Sequence, residues 1–171
     1  MKPRTQLLLG MIFAAAAMRL LPHPSNFTPI GALALFAGAN FDDKRWAFIV
    51  PLAAMLLSDL VIGFHSEMPL IYGAFAVMVV MGFWLREKKR AAHIVGASVA
   101  AALFFFIVSN FGVWVFDGLY PLTFQGLVIC YVAAVPFFQN WLIATLFYSA
   151  ILFGGFALAE KKLPVLSAVH S

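Results

Sequence analysis

Residues 92–116 read AHIVGASVAAALFFFIVSNFGVWVF, twenty-five positions without a lysine, arginine, aspartate or glutamate. A helix needs roughly 20 predominantly apolar residues to cross the hydrocarbon core of a bilayer, and this stretch is long enough to do so. The rest of the chain has the same character. Of 171 residues, 64% are hydrophobic and 11% charged, with a mean hydropathy of +0.97. A soluble domain carries about 25% charge, so too few charges are present to cover a water-facing surface. A soluble enzyme, a secreted module and a disordered tail are excluded.

Working outward from 92–116, five further apolar segments appear, at about 5–21, 29–41, 46–64, 69–85 and 136–159. Pro22 and Pro24 close the first. Thr28 as N-cap and Pro29 at the first helical position open the short second one. Ser66 and Pro69 start the fourth. The interval 117–135, DGLYPLTFQGLVICYVAAV, is apolar enough to be embedded, and a seventh span there would flip everything downstream. Charge position decides. Lys2 and Arg4, Lys44 and Arg45, the Arg86–Arg90 cluster, and Lys161 and Lys162 all fall on one side of a six-span chain. By the positive-inside rule that side is the cytoplasm. The expectation is an all-α polytopic bundle of six transmembrane helices, a single domain over 1–171 with both termini cytoplasmic. In it, 117–135 is an outer loop with a short interfacial or re-entrant helix. The opening MKPR, an apolar run and AAAAM also suggest a signal peptide, but Arg19 directly after the small residues is awkward for cleavage.

The pI near 9.5 follows from the same charge bias and implies no nucleic-acid partner. No GxxxxGK[ST] motif occurs, so ATP-driven work needs another subunit. Cys130 is the single cysteine, which excludes an internal disulfide and a CxxC site. No nucleophile–base pair has a catalytic spacing. His23, His65, Asp59 and Glu67 match no compact metal motif, so no catalytic or metal residue is assigned.

Polar residues gather in the non-cytoplasmic half: Arg19, His23 and Asn26 after helix 1, and Asp59 late in helix 3. Tyr72 follows one turn into helix 4, with Asn110 and Trp114 late in helix 5 and Asn140 opening helix 6. A charge deep in a spanning helix costs about 2.5–3.5 kcal/mol on insertion scales, so Arg19 and Asp59 are expected to pair. Together these eight residues outline an outward-facing substrate pocket, with Trp114, Tyr72, Tyr131 and Phe27 stacking on a flat ligand. Interhelical hydrogen bonds and interface-belt aromatics are the plainer reading of the same residues. Gly10, Ala14 and Ala17 fall at i, i+4 and i+7 on helix 1, a spacing for close packing either inside the bundle or against another subunit. Ala34 and Gly38 repeat the pattern on helix 2.

The stretches MRLLPHPSNFTPIGALALFAGANF, PLAAMLLSDLVIGFH, FFIVSNFGVW and YPLTFQGLVICYVAAVPFFQN resemble an uncharacterised bacterial family of six-helix transport proteins. That family in turn resembles the S components of energy-coupling-factor vitamin transporters. The resemblance implies an inner-membrane protein that binds a micronutrient from outside and docks on a transmembrane T component with ATPase subunits. Docking in such proteins often uses AxxxA on helix 1, and Gly10-x-x-x-Ala14 is the nearest match here. Within that group the chain is most similar to the cobalamin type, through Arg19 and His23, the LFAG of Leu35–Gly38, and Asp59. The cobalt-ligating cysteine of that type falls early in helix 4, where this chain has Tyr72, so cobalamin is one candidate ligand among vitamins. No intrinsic cofactor is implied. The expected function is a substrate-binding membrane subunit for vitamin uptake. An assembly protein without a ligand, or a membrane enzyme acting on lipid or quinone, are the alternatives.

Overall fold

Prolines and polar breaks divide the described residues into six α-helices: α1 (Pro3–Ala17), α2 (Ile30–Asn40), α3 (Lys44–Ile62), α4 (Met68–Trp84), α5 (Ala91–Phe116) and α6 (Phe124–Lys162). A 3-10 turn, Met18–Leu20, prolongs α1. The structure is a computed structural model and describes residues 2–64, 66–163 and 166. Helices α3, α5 and α6 are long and apolar enough to cross a membrane, which marks the chain as an all-helical membrane protein. Their outward faces carry the exposed apolar side chains a bilayer requires, among them Leu57, Val61, Ile107 and Ile151.

Capping sets several boundaries. The Asp43 carboxylate accepts from the Arg45 backbone N–H at 2.8 Å and starts α3. The Thr123 hydroxyl accepts from the Gly126 N–H at 3.1 Å and starts α6. At α2 the expected cap is displaced by one: Pro29 is the N-cap, with no side-chain cap bond, and Ile30 is the first helical residue.

One larger expectation is corrected. Of 117–135, only 117–123 is loop, and 124–162 forms one helix of 39 residues, with Pro136 inside it. Pro136 looked like a start because proline removes an intrahelical hydrogen bond. In a membrane bundle, neighbours and local adjustment absorb that loss. At 1.5 Å per residue α6 is about 58 Å long. It packs antiparallel to α5: the Tyr131 hydroxyl donates to the Ile107 carbonyl at 2.6 Å, and the Ser98 hydroxyl to Ser149 Oγ at 2.9 Å.

Helix α2 is the hub. All eleven of its residues are buried, and it packs against every other helix. It runs alongside α4 through a glycine contact, where a Cβ on Gly38 would lie 2.9 Å from the Gly82 Cα. It meets α6 through edge-on rings, Phe36 with Phe153 at 5.3 Å and with Phe156 at 5.6 Å. Eleven residues span roughly 16 Å, about half a hydrocarbon core. One half of the bundle is therefore filled by α2, and the other half is not.

The filled half ends in a charged cluster. Arg86 donates to the Gly38 carbonyl at 3.0 Å and the Phe41 carbonyl at 2.7 Å, satisfying the open C-terminus of a buried helix. Lys89 donates to Asn40 Oδ1 at 2.9 Å. Arg4 pairs with Asp42 at 3.3 Å and with Glu160 at 3.5 Å. These bonds bring the start of α1, the α2–α3 and α4–α5 connections, and the end of α6 to one basic end.

Candidate functional site

The half of the bundle beyond the start of α2 holds two constructions. The first is a charged lock. Arg19, in the 3-10 turn, donates to Ser58 Oγ at 2.7 Å and pairs with Asp59 Oδ1. The Tyr72 hydroxyl donates to the other carboxylate oxygen at 2.7 Å. Asp59 is 1% exposed. Its two oxygens are thus held by groups from the end of α1 and the start of α4. Ser58 donates onward to the Met55 carbonyl at 2.7 Å. The expected Arg19–Asp59 pair exists, and its third member, Tyr72, joins it because α3 and α4 are antiparallel neighbours.

The second construction is a cavity of about 230 Å³ between α4, α5, α6 and the 21–29 loop. It occupies the space that a longer α2 would fill. Its walls are aromatic: Phe105 and Trp141 stack at 4.3 Å, and Phe106 meets Phe138 at 4.8 Å. Its polar groups are Asn26, Ser109 and Asn110, and no charged side chain lines it among the described residues. Asn26 reaches the wall through a left-handed backbone, φ 61°, a conformation asparagine tolerates better than most residues. Trp141 is 6% exposed and its indole N–H has no acceptor among the described residues. A buried donor without a partner is costly, and this one belongs to the cavity wall.

The eight pocket residues expected from sequence therefore separate. Asn26 and Asn110 line the cavity. Arg19, Asp59 and Tyr72 form the lock. The remaining three hold connections. The His23 ring nitrogens lie beside the Pro24 and Arg19 carbonyls, at 3.0 and 3.3 Å. The Trp114 indole donates to the Pro121 carbonyl at 2.9 Å. Asn140 donates to the Ser25 carbonyl at 3.1 Å, tying the 21–29 loop to α6. Phe27, expected to stack on a ligand, packs instead on Phe147 and Tyr148 at 6.0 and 5.9 Å. Tyr131 is taken up by its bond to α5. His65 lies outside the described residues.

The cavity's aromatic wall was missed by sequence reasoning. Its signal was present in Phe104–Phe106 and in Phe137, Phe138 and Trp141, two ring-rich patches on adjacent apolar helices. In a membrane protein such patches read equally as lipid-facing surface. Among the described residues no three His, Cys, Asp or Glu side chains gather around a metal position. On α1, Gly10, Ala14 and Ala17 are all exposed, and a Cβ on Gly10 would touch nothing within 4 Å. The small-residue stripe thus faces outward. The Gly38 contact of α2, by contrast, is internal.

The sequence profile of a family of unknown function, DUF6580, matches residues 1–166, and the chain belongs to that family. No curated protein and no solved structure matches it.

Proposed function

We propose that the chain is a substrate-binding membrane subunit. It captures a small, flat, uncharged molecule in the cavity above α2. The observation that carries this reading is the cavity itself, with stacked rings as walls, two amides and a hydroxyl as polar contacts, and no charge among the described residues. Ligand sites combine an apolar lining with a few placed polar groups in this way. Phe105 and Trp141 already stack on each other, so a planar ring rests on the remaining face of that stack or against Phe106 and Phe138. Asn26 offers a donor and an acceptor to its edge. Asn110 offers its amide oxygen and the N–H not donated to the Phe106 carbonyl at 2.8 Å, and the Trp141 N–H, without an acceptor among the described residues, is a further donor. The volume lies below the roughly 300–1,000 Å³ of drug-sized sites. It suits a one- or two-ring heterocycle of vitamin size, and a corrinoid such as cobalamin would overfill it.

Orientation follows from charge. The basic end is cytoplasmic by the positive-inside rule, which directs the cavity half outward in a six-span, S-component-like bundle of a bacterial inner membrane. The exposed Gly10–Ala14–Ala17 face of α1 is then available to a transmembrane partner with ATPase subunits. The Arg19–Asp59–Tyr72 lock closes the outer ends of α1, α3 and α4 beside the site. A second reading, an assembly protein without a ligand, is favoured by that same lock, since both Asp59 oxygens are already occupied. Thermal-shift titration with neutral and charged heterocycles separates the two. The transport reading expects stabilisation by neutral planar compounds, and the assembly reading expects none.

A further inference from the structure

A second concavity opens at the opposite, basic end, between α5 and α6. It measures about 290 Å³. Its wall on α6 sets Ala150, Gly154 and Ala157, all exposed to the bundle's outer surface, beside the larger Leu146 and Phe153. A Cβ on Gly154 would meet nothing within 4 Å, so the groove is open where its residues are small. Its floor polarity is cancelled internally, because the buried Ser98 and Ser149 hydroxyls bond each other at 2.9 Å. Lys89 stands at its mouth.

The end of the bundle that holds this mouth is unbalanced in charge. The termini and connections at the basic end carry ten lysines and arginines against four aspartates and glutamates, a net +6, whereas the opposite half carries Arg19 against Asp59, Glu67 and Asp117. Arg4 and Arg86 are committed to Asp42, Glu160 and the α2 carbonyls. Lys89 uses one N–H on Asn40, and an ammonium has three. Partial burial, then the Arg4 charge, push its amine below the ordinary lysine range, while Glu160 and Asp42 pull the other way; an anion at the mouth would add to that pull. Basic pockets between spanning helices on the cytoplasmic side suit anionic headgroups.

We propose that this groove is a binding site for an anionic phospholipid, with one acyl chain along Ala150, Gly154 and Ala157 and the phosphate on Lys89. The site is separate from the cavity above α2 and does not depend on what that cavity binds.

The test is native mass spectrometry of the purified full chain, released from micelles holding equal phosphatidylglycerol and phosphatidylcholine. Wild type is expected to retain phosphatidylglycerol preferentially. Lys89→Gln should cut that preference about fivefold, the worth of one surface cation. Gly154→Leu should abolish retention of both lipids by filling the acyl path, and Ala157→Leu repeats the block nearly one turn further along. Thermal midpoints in lipid-free detergent verify that the variants fold. Equal retention of the two lipids by wild type overturns the proposal. So does phosphatidylglycerol retention that survives both leucine variants, or equal stabilisation by inorganic phosphate alone.

Discussion

Asp59 concentrates the physics of this chain in one side chain. A carboxylate 1% exposed inside an apolar helix persists because Arg19 and Tyr72 hold both its oxygens. Removing one partner of a buried pair leaves the other uncompensated and costs about 3–5 kcal/mol. Asp59→Ala should therefore lower the thermal midpoint sharply in detergent. Tyr72→Phe removes one bond to a charged acceptor and should cost less, about 1.5–3 kcal/mol. The double variant Arg19→Met with Asp59→Leu should recover much of the single-variant loss, because burying a matched apolar pair avoids desolvating two charges. A double variant as unstable as Asp59→Ala would mean that the shape of the site, not its charge, is what the bundle needs. The pair was legible in the sequence because two charges in apolar segments have few places to go. Tyr72 was legible only as a polar group near the same level, since its reach to Asp59 depends on how α3 and α4 pack.

Helix α2 is the element on which the architecture turns, and its glycines set how closely it packs. Gly38→Ala should be strongly destabilising, at or above the upper end of the about 1–3 kcal/mol typical of overpacking. The new methyl meets α4 backbone, which has no rotamer to yield. Gly10→Ala on exposed α1 should be neutral or stabilising by up to about 1 kcal/mol from helix propensity. Chemical denaturation of the three proteins in parallel checks the contrast. At the C-terminal end of α2, Lys89 predicts a pH effect. Its folded pKa lies below the unfolded value, so between the two the unfolded chain binds more protons and stability rises with pH. The gain is complete once the unfolded value is passed. Lys89→Gln should flatten that rise in a midpoint-versus-pH series. Helix positions were readable from apolar runs and prolines, with ends displaced by one or two residues once the 3-10 turn is counted with α1. The exception was α6, because Pro136 carries the same signal whether it opens a helix or interrupts one. The cavity was not readable. It exists because α2 is short and fully enclosed, and sequence revealed the shortness but not which helices would surround the gap.

At the scale of the whole molecule, charge and space are separated. One end is basic and cross-braced by Arg4, Arg86 and Lys89. The other contains an aromatic cavity beside the locked Arg19–Asp59 pair. A six-span insertion predicts that reporters fused to the two termini read out on the same, cytoplasmic face. Termini on opposite faces would remove one span and reverse the orientation argued from charge. The central claim, that the cavity above α2 receives a small neutral planar molecule, is tested most directly by ligand binding to the wild type and to Ala134→Phe, whose ring fills the cavity from α6. Quenching of tryptophan fluorescence, with Trp141 in the cavity wall, provides the readout across a panel of uncharged one- and two-ring heterocycles. The account predicts saturable quenching by at least one compound in the wild type and its loss in Ala134→Phe at unchanged fold. No saturable quenching by any compound, or quenching that persists in Ala134→Phe, would contradict it.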